Sequence, residues 1–191
     1  MMEQRIPGGG SMQTICFITG NEDKLRVAES ILGFMPDHKK IDLDEIQGVN
    51  PDSIAEHKAR HAWDSIKQPV TWDVSLHIDC LHGFPGPLVR WFWEEVGGEK
   101  ICAIARLFND QRIQAQTILT LFDGVRCTHF HGVVSGQIPP SPRGTNGFAW
   151  DPIFVPEGHI QTFAEMTPEE KNLASPHIIA LQKLRDYLDS Q

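Results

Sequence analysis

The segment FITGNEDKL at residues 17–25 joins the end of a buried strand to the beginning of a helix. Apolar and β-branched side chains fill residues 13–19, and apolar residues at helical spacing follow over residues 24–34. Asn21 is a suitable N-cap between the two. A strand that ends in a glycine turn before a helix directs free backbone N–H groups outward, so the segment favours an anion site beside Lys24. The alternative is an ordinary capped helix with a solvated lysine.

The rest of the chain continues to alternate between strand and helix patterns. Further strands are predicted from apolar and β-branched runs at residues 40–43, 70–78, 113–122 and 125–134. Further helices are predicted from apolar residues at helical spacing at residues 51–66, 88–96, 101–108, 168–173 and 178–188. Asp123-Gly124 indicates a two-residue hairpin, and Pro176 a break between the last two helices. This order predicts an α/β protein with a mixed sheet, helices on its faces and a cleft between two lobes.

The overall charge of the chain is acidic. It has 191 residues, with 17 Lys and Arg against 25 Asp and Glu, so the formal net charge is −8. Surfaces that bind polymeric nucleic acid or anionic membranes carry a surplus of Lys and Arg, so neither partner is expected. No apolar run approaches the roughly 20 residues that span a bilayer. An anionic ligand would therefore need a local cluster of cations.

The N-terminal residues 1–12 are polar and glycine-rich and lack the apolar region of a signal peptide. We expect them to be a flexible leader or a cloning scar, and residues 13–191 to form a single domain with two lobes. The four cysteines show no CxxC spacing and are too few for a disulfide scaffold. A reduced, cytoplasmic protein is therefore the expectation.

Carboxylates near strand ends are the second candidate for chemistry. Asp73 interrupts the apolar run at residues 70–78, where a charged side chain is unfavourable unless it is paired or binds a metal. Glu45 follows the predicted strand at residues 40–43. Mg²⁺ is commonly held by one or two carboxylates together with substrate phosphates, so this pair predicts a magnesium site. The alternative is that Asp73 caps a turn at a sheet edge.

The third candidate is FAWD at residues 148–151, which follows a glycine-containing loop. Phe148 and Trp150 could stack on a base while Asp151 accepts from its ring N–H, although core packing of Trp150 is the alternative. A helix break nearby carries three further polar candidates, Lys171, Ser175 and His177. Their alternative is a solvated helix end.

Taken together, these segments resemble the inosine triphosphate pyrophosphatase family. The blocks that keep the family's order and spacing are FITGNEDKL (17–25), DLDEIQG (42–48), PDSIAEHKA (51–59), DVSLHIDCLHGFPGPLVRWF (73–92), GFAWDPIFVPEG (147–158), TFAEMTPEEKN (162–172) and the closing ALQKL helix. They span nearly the whole chain from Phe17, which is far more specific than any single motif.

The resemblance implies an elongated twisted mixed sheet with flanking helices, two lobes around a central cleft, and a homodimer. It implies a Mg²⁺-dependent nucleoside triphosphate pyrophosphohydrolase, a hydrolase acting on acid anhydrides. Water would attack the α-phosphorus of non-standard nucleotides such as ITP, dITP and XTP, giving the monophosphate and pyrophosphate. The role implied would be house-cleaning of the nucleotide pool.

The resemblance also assigns residues to roles. Those implied to hold the phosphate chain are Thr19, Gly20, Asn21, Lys24 and Lys58. Those implied to be catalytic are Asp73, Lys24 and Glu45, with Glu45 and Asp73 binding Mg²⁺. Those implied to lie around the base or near the ligand are Arg90, Phe148, Trp150, Asp151, Lys171, Ser175 and His177.

Three positions depart from the family pattern. Trp72 stands where the family has a second acidic residue beside Asp73, and Arg90 stands where a lysine is usual in eukaryotic-type members. The base-reading Ser-His-Arg is here residues 175–177, Ser-Pro-His. Neutral histidine offers one donor where arginine offers several, so an altered base preference is one alternative function. A non-catalytic nucleotide-binding protein is the other.

Overall fold

The computed structural model describes residues 15–147 and 149–191. Its strands form one seven-stranded mixed sheet in the order β2-β1-β3-β5-β6-β7, with β4 pairing β3. The strands are β1 (Cys16–Ile18), β2 (Asp37–Lys39), β3 (Pro69–Ile78), β4 (Pro85–Gly86), β5 (Arg112–Phe122), β6 (Cys127–Gln137) and β7 (Val155–Pro156). The β1 strand pairs in parallel with β2 and β3, and all other pairings are antiparallel. The predicted mixed α/β fold is confirmed.

Six α-helices flank this sheet in the described part of the chain. They are α1 (Glu22–Leu32), α2 (Pro51–Ala62), α3 (Val89–Val96), α4 (Gly98–Leu107), α5 (Pro168–Leu173) and α6 (Pro176–Asp189). Asn21 caps α1 as predicted, and its side chain accepts hydrogen bonds from the backbone N–H groups of Asp23 and Lys24. None of the helices in residues 15–147 and 149–191 is long and apolar enough to cross a membrane.

Three local predictions differ from the structure in position or length. The second strand is at Asp37–Lys39 rather than 40–43; its three side chains are exposed and polar, so no apolar run marks it. The turn between β5 and β6 has four residues, because the Asp123 carboxylate accepts from the N–H groups of Val125 and Arg126. The predicted break between the last two helices is present, but it lies at residues 174–175, and Pro176 is the first residue of α6, since proline suits the first helical position, where its missing N–H has no intrahelical partner.

The buried side chains divide into two clusters on the same face of β3. One surrounds Phe17 and Trp72 and is covered by α1 and α6. The other surrounds Leu76 and Phe154 and is covered by α3 and α4. The small helix residues Ala55, Ala59 and Ala62, all fully buried, let α2 lie close to the opposite face of the sheet.

The edge of β3 is open between these two clusters. On that side β1 pairs only as far as Val70, and β4 pairs only with Leu76 and His77. Within the described residues, no strand pairs with residues 71–75 along this edge, whereas β5 runs along the whole opposite edge. Because neighbouring strand residues point to opposite faces, Trp72 and Asp73 reach the two sides of this opening.

Candidate active site

One side of the opening carries a group of charged residues, Glu45, Lys58 and Asp73, which we call the carboxylate wall. The Lys58 ammonium on α2 donates to Asp73 Oδ1 at 2.8 Å and contacts Glu45 Oε1 at 2.5 Å. Burial lowers the pKa of the Lys58 amine, but the two carboxylates outweigh that effect and raise it above its ordinary value. Lys58 is therefore a cation held between two acids at the mouth of the cleft.

One carboxylate oxygen of Asp73 has no hydrogen-bond partner among the described residues. Its Oδ2 is buried and has no hydrogen-bond partner in the structure, although Oδ1 is paired with Lys58. A buried carboxylate oxygen without a partner is unfavourable, and a divalent cation would relieve it. No group of three or more His, Cys, Asp and Glu side chains converges among the described residues. A cation at Asp73 and Glu45 would therefore share oxygen ligands with a bound substrate, as Mg²⁺ does.

The other side of the opening is formed by Lys24, Trp72 and His177, which we call the indole wall. Lys24 extends from the first turn of α1, and its Nζ lies over the Trp72 ring, 5.1 Å from the centroid. Burial lowers the pKa of the Lys24 amine from 10.5 to about 8, with the charge of Lys58 adding to this and Asp73 opposing it. Lys24 is thus a desolvated cation that forms no ion pair within residues 15–147 and 149–191.

This lowered pKa predicts a pH-dependent stability. Between pH 8 and 10.5 the unfolded chain holds the Lys24 proton and the folded chain does not, so the free energy of unfolding rises with pH in that window. Relative to Lys24→Met, we expect the free energy of unfolding of the wild type to rise by roughly 2 kcal/mol over this pH range. Urea unfolding from pH 7.5 to 11 measures this difference. Lys100→Met, on the exposed surface of α4, is the matched control, and a constant difference for Lys24→Met would contradict the prediction.

The turn before α1 is less open than predicted. Two N–H groups of the first helical turn, those of Asp23 and Lys24, already donate to the Asn21 side chain. The Thr19 hydroxyl accepts from the Asn21 N–H at 3.1 Å, and Gly20 is exposed beside it. The prediction that free N–H groups meet the ligand is therefore wrong for these two positions. The segment still places Lys24 at the cleft.

His177 closes the indole wall from α6. Its Nδ1 lies 3.2 Å from the Trp72 indole Nε1 and 2.7 Å from the Thr117 hydroxyl. Ser175 is the buried N-cap of α6 and accepts from the His177 backbone N–H, which holds the first turn of the helix in place. Burial, together with the positive charges of Lys24 and Lys171, lowers the pKa of the His177 imidazole to about 3. His177 is therefore neutral at physiological pH.

Gly132 on β6 allows the first turn of α6 to lie close against the sheet. It pairs with Thr117 across β5 and β6, and a Cβ at this position would lie 1.8 Å from the Pro176 carbonyl oxygen. Only a residue without a side chain can therefore sit under the first turn of α6. The glycine in the middle of a strand was the sequence signal for this close approach.

At the far end of the cleft, the Asp151 carboxylate accepts from the Lys171 ammonium at 2.5 Å. Asp151 is buried, and Trp150 packs in the second cluster against Phe154 and Phe163. The contacts of Trp150 are therefore those of core packing, the alternative to stacking on a base. Phe148 and residues 1–12 lie outside the described residues.

A cavity of about 190 Å³ adjoins the carboxylate wall. Glu45, Asp73 and Arg90 all line it. Arg90 is exposed, bonds to Glu94 at 3.0 Å and lies over the Trp91 ring, so its guanidinium belongs to the rim and not to the charged group itself.

The structure thus brings together residues that are distant in sequence. Lys24, Glu45, Lys58 and Asp73 interact electrostatically, and both Lys24 and Lys171 act electrostatically on His177. Sequence reasoning treated Trp72 only as a departure from a pattern and did not find Thr117. Both contact His177, and nothing in their local sequence indicates that contact, because 105 residues separate Trp72 from His177.

The described residues thus form an α/β protein whose mixed sheet has an open strand edge, with a lysine on each side of that edge and carboxylates on one side. The sequence profile of the Ham1 family matches residues 15–187, so the chain belongs to that family. It is 40% identical to the inosine triphosphate pyrophosphatase of Schizosaccharomyces pombe over 94% of this chain and 97% of that one. It is 38% identical to inosine triphosphate pyrophosphatase 2 of Trypanosoma cruzi over 93% of each chain.

The fold is also similar to solved structures. A HAM1 protein from Coxiella burnetii superposes with a TM-score of 0.79 at 27% identity, covering 93% of this chain and 98% of that one. The predicted family and the prediction of a hydrolase acting on acid anhydrides are confirmed by these comparisons.

Proposed function

We propose that this protein hydrolyses non-standard purine nucleoside triphosphates, ITP, dITP and XTP, to the monophosphate and pyrophosphate in the presence of Mg²⁺. The observation that carries the proposal is the convergence of Lys24 and Lys58 with Asp73, whose buried Oδ2 lacks a partner. A desolvated ammonium and an unsatisfied carboxylate side by side suit a ligand that is both polyanionic and cation-bound. A nucleoside triphosphate with Mg²⁺ has both properties.

The magnesium would be held by Asp73 and Glu45. When bound, it would neutralise the negative charge of the phosphoryl oxygens. Lys24 would contact the phosphate chain from the indole wall. Lys58 already pairs with both carboxylates, so it would orient them and would meet the phosphates from the opposite side. Thr19, Gly20 and Asn21, at the start of α1, would lie along the phosphate chain of the substrate.

In the proposed reaction, a water oxygen forms a bond to the α-phosphorus, and the bond from that phosphorus to the pyrophosphate oxygen breaks. Asp73 would orient the water and accept its proton. Lys24, as a cation, would stabilise the charge that develops on the departing pyrophosphate. Asp151, Lys171, Ser175 and His177 would lie around the base, while Arg90 would lie at the rim of the cavity.

The direct test is a panel of ITP, dITP, XTP, ATP and GTP assayed for pyrophosphate and monophosphate, with and without Mg²⁺. We expect equal amounts of both products from ITP, dITP and XTP, loss of turnover after chelation, and a kcat/KM for ITP at least about tenfold above that for ATP, the size of one hydrogen bond. Purified Asp73→Asn, assayed in parallel, controls for contaminating phosphatases. Release of orthophosphate alone would contradict the proposal.

The same panel separates the two alternatives. Turnover that favours a different modified purine or a pyrimidine would show the same chemistry with another base. Tight triphosphate binding by calorimetry without any turnover would show a non-catalytic nucleotide-binding protein. The observation that motivates both is local, since Trp72 and His177 contact each other where the family resemblance leads one to expect charged side chains.

We also infer that the protein acts in the cytoplasm as a homodimer. The four cysteines are free thiols, which suits a reducing compartment. Exposed Phe84 and Trp91 give the α3 region an apolar surface of the kind that subunit contacts cover. Sedimentation equilibrium measures the oligomeric state, and a monomer at micromolar concentration would contradict the dimer.

A further inference from the structure

The contact between Trp72 and His177 has a defined direction. The indole Nε1 carries a hydrogen and has no lone pair in the ring plane, so it can only donate. It lies 3.2 Å from His177 Nδ1, and the two rings meet edge to face with centroids 5.1 Å apart. His177 Nδ1 must therefore be the acceptor and carries no proton.

A second group supports this orientation of the imidazole. The Thr117 hydroxyl lies 2.7 Å from the same nitrogen and is fully buried. Turning the ring over would place a carbon between the indole N–H and the hydroxyl, and the indole donor would lose its acceptor. With Nδ1 unprotonated in a neutral imidazole, the single ring proton resides on Nε2.

The Nε2–H group of His177 has no hydrogen-bond partner among the residues that the structure describes. The ring is half-buried, at the first turn of α6, and feels the positive charges of both Lys24 and Lys171. Lys24 belongs to the phosphate end of the cleft, and Lys171 bonds to Asp151 at the other end. The His177 ring therefore interacts electrostatically with a lysine of the phosphate end and a lysine of the proposed base end.

We propose that Trp72 is a positioning residue that determines base specificity, because its indole N–H fixes His177 as the Nε2–H tautomer. The cleft then offers one neutral donor to an acceptor on the base, such as the oxygen of a 6-oxo purine. A 6-amino group presents hydrogens instead and leaves this donor unpaired. The consequence for the base rests on the proposed function, whereas the tautomer does not.

The test is Trp72→Phe, which keeps an aromatic ring but removes the N–H donor together with part of the indole volume. The Thr117 hydroxyl, left alone, can donate to Nδ1 or accept from it, so the second tautomer becomes populated. Long-range ¹H–¹⁵N NMR of the imidazole distinguishes the two tautomers directly. We expect the wild type to be the Nε2–H form. In the variant the ratio of the Nε2–H to the Nδ1–H form should fall roughly fivefold, the size of one neutral hydrogen bond. The ratio of kcat/KM for ITP to that for ATP should fall by a similar factor.

Trp63→Phe is the matched control, because Trp63 packs edge-on against Phe122, 5.2 Å away, in a contact that does not involve His177. It should leave both the tautomer and the ITP to ATP ratio unchanged.

A wild type in the Nδ1–H form, or a Trp72→Phe variant with the wild-type tautomer, would overturn the proposal whether or not any nucleotide is hydrolysed. A shifted tautomer with an unchanged ratio would overturn its specificity part. Absence of turnover on every nucleotide would overturn the proposed function alone, since the NMR result stands separately.

Discussion

Asp73→Asn should lower kcat/KM for ITP by about three orders of magnitude, the largest effect that we expect from a single substitution in this protein. The amide keeps the size of the side chain, but it cannot accept a proton from water at neutral pH and is a poorer ligand for Mg²⁺. Within the described residues Asp73 Oδ2 has no partner, and Lys58, which pairs with Oδ1, keeps Glu45 as an anionic partner in the variant. The loss should therefore fall on the chemistry.

The measurement is steady-state hydrolysis of ITP followed by pyrophosphate release, with unfolding by urea measured on the same samples. Asp79→Asn is the matched control, since Asp79 is a half-buried aspartate that pairs with Arg112 at 3.3 Å, away from the carboxylate wall. We expect the control to retain activity within about twofold. The free energy of unfolding of Asp73→Asn should fall by no more than about 1 kcal/mol. Wild-type turnover by Asp73→Asn would remove Asp73 from the proposed mechanism.

The second large effect is on folding. Gly132→Ala should lower the free energy of unfolding by about 3 kcal/mol or more. The new Cβ would lie 1.8 Å from the Pro176 carbonyl oxygen and 2.8 Å from the Ala180 nitrogen. Both are backbone atoms of α6, so no side-chain rotation can make room. Either the helix moves off the sheet or the sheet bends.

Urea unfolding compares this variant with Gly48→Ala. At Gly48 the nearest atom to an added Cβ is a side-chain carbon of Ile54 at 3.9 Å, which is an ordinary contact, so this control should change stability little. Since α6 also carries His177, a folded Gly132→Ala protein should lose the hydrogen bond from Trp72 as well. Equal stability of the two variants would show that α6 does not rest on Gly132.

Local sequence patterns predicted most of the elements. Asn21 and the apolar spacing after it mark α1, because a helix cap and an amphipathic face depend on residues a few positions apart. The same reasoning failed at β2, whose residues Asp37–Lys39 are polar and exposed. That strand exists because it pairs with β1, and backbone pairing requires no apolar pattern in a segment whose side chains are all exposed.

The sequence by itself determined the fold class, the family and the candidate site residues, since these depend on short blocks whose order the chain preserves. Only the tertiary structure decided which of those residues meet. The opening at residues 71–75 exists because β1 ends early and β4 pairs late, and neither fact can be read within β3 itself. The contact of Trp72 with His177 joins positions 105 residues apart, so it required the sheet, Gly132 and α6 to be in place first.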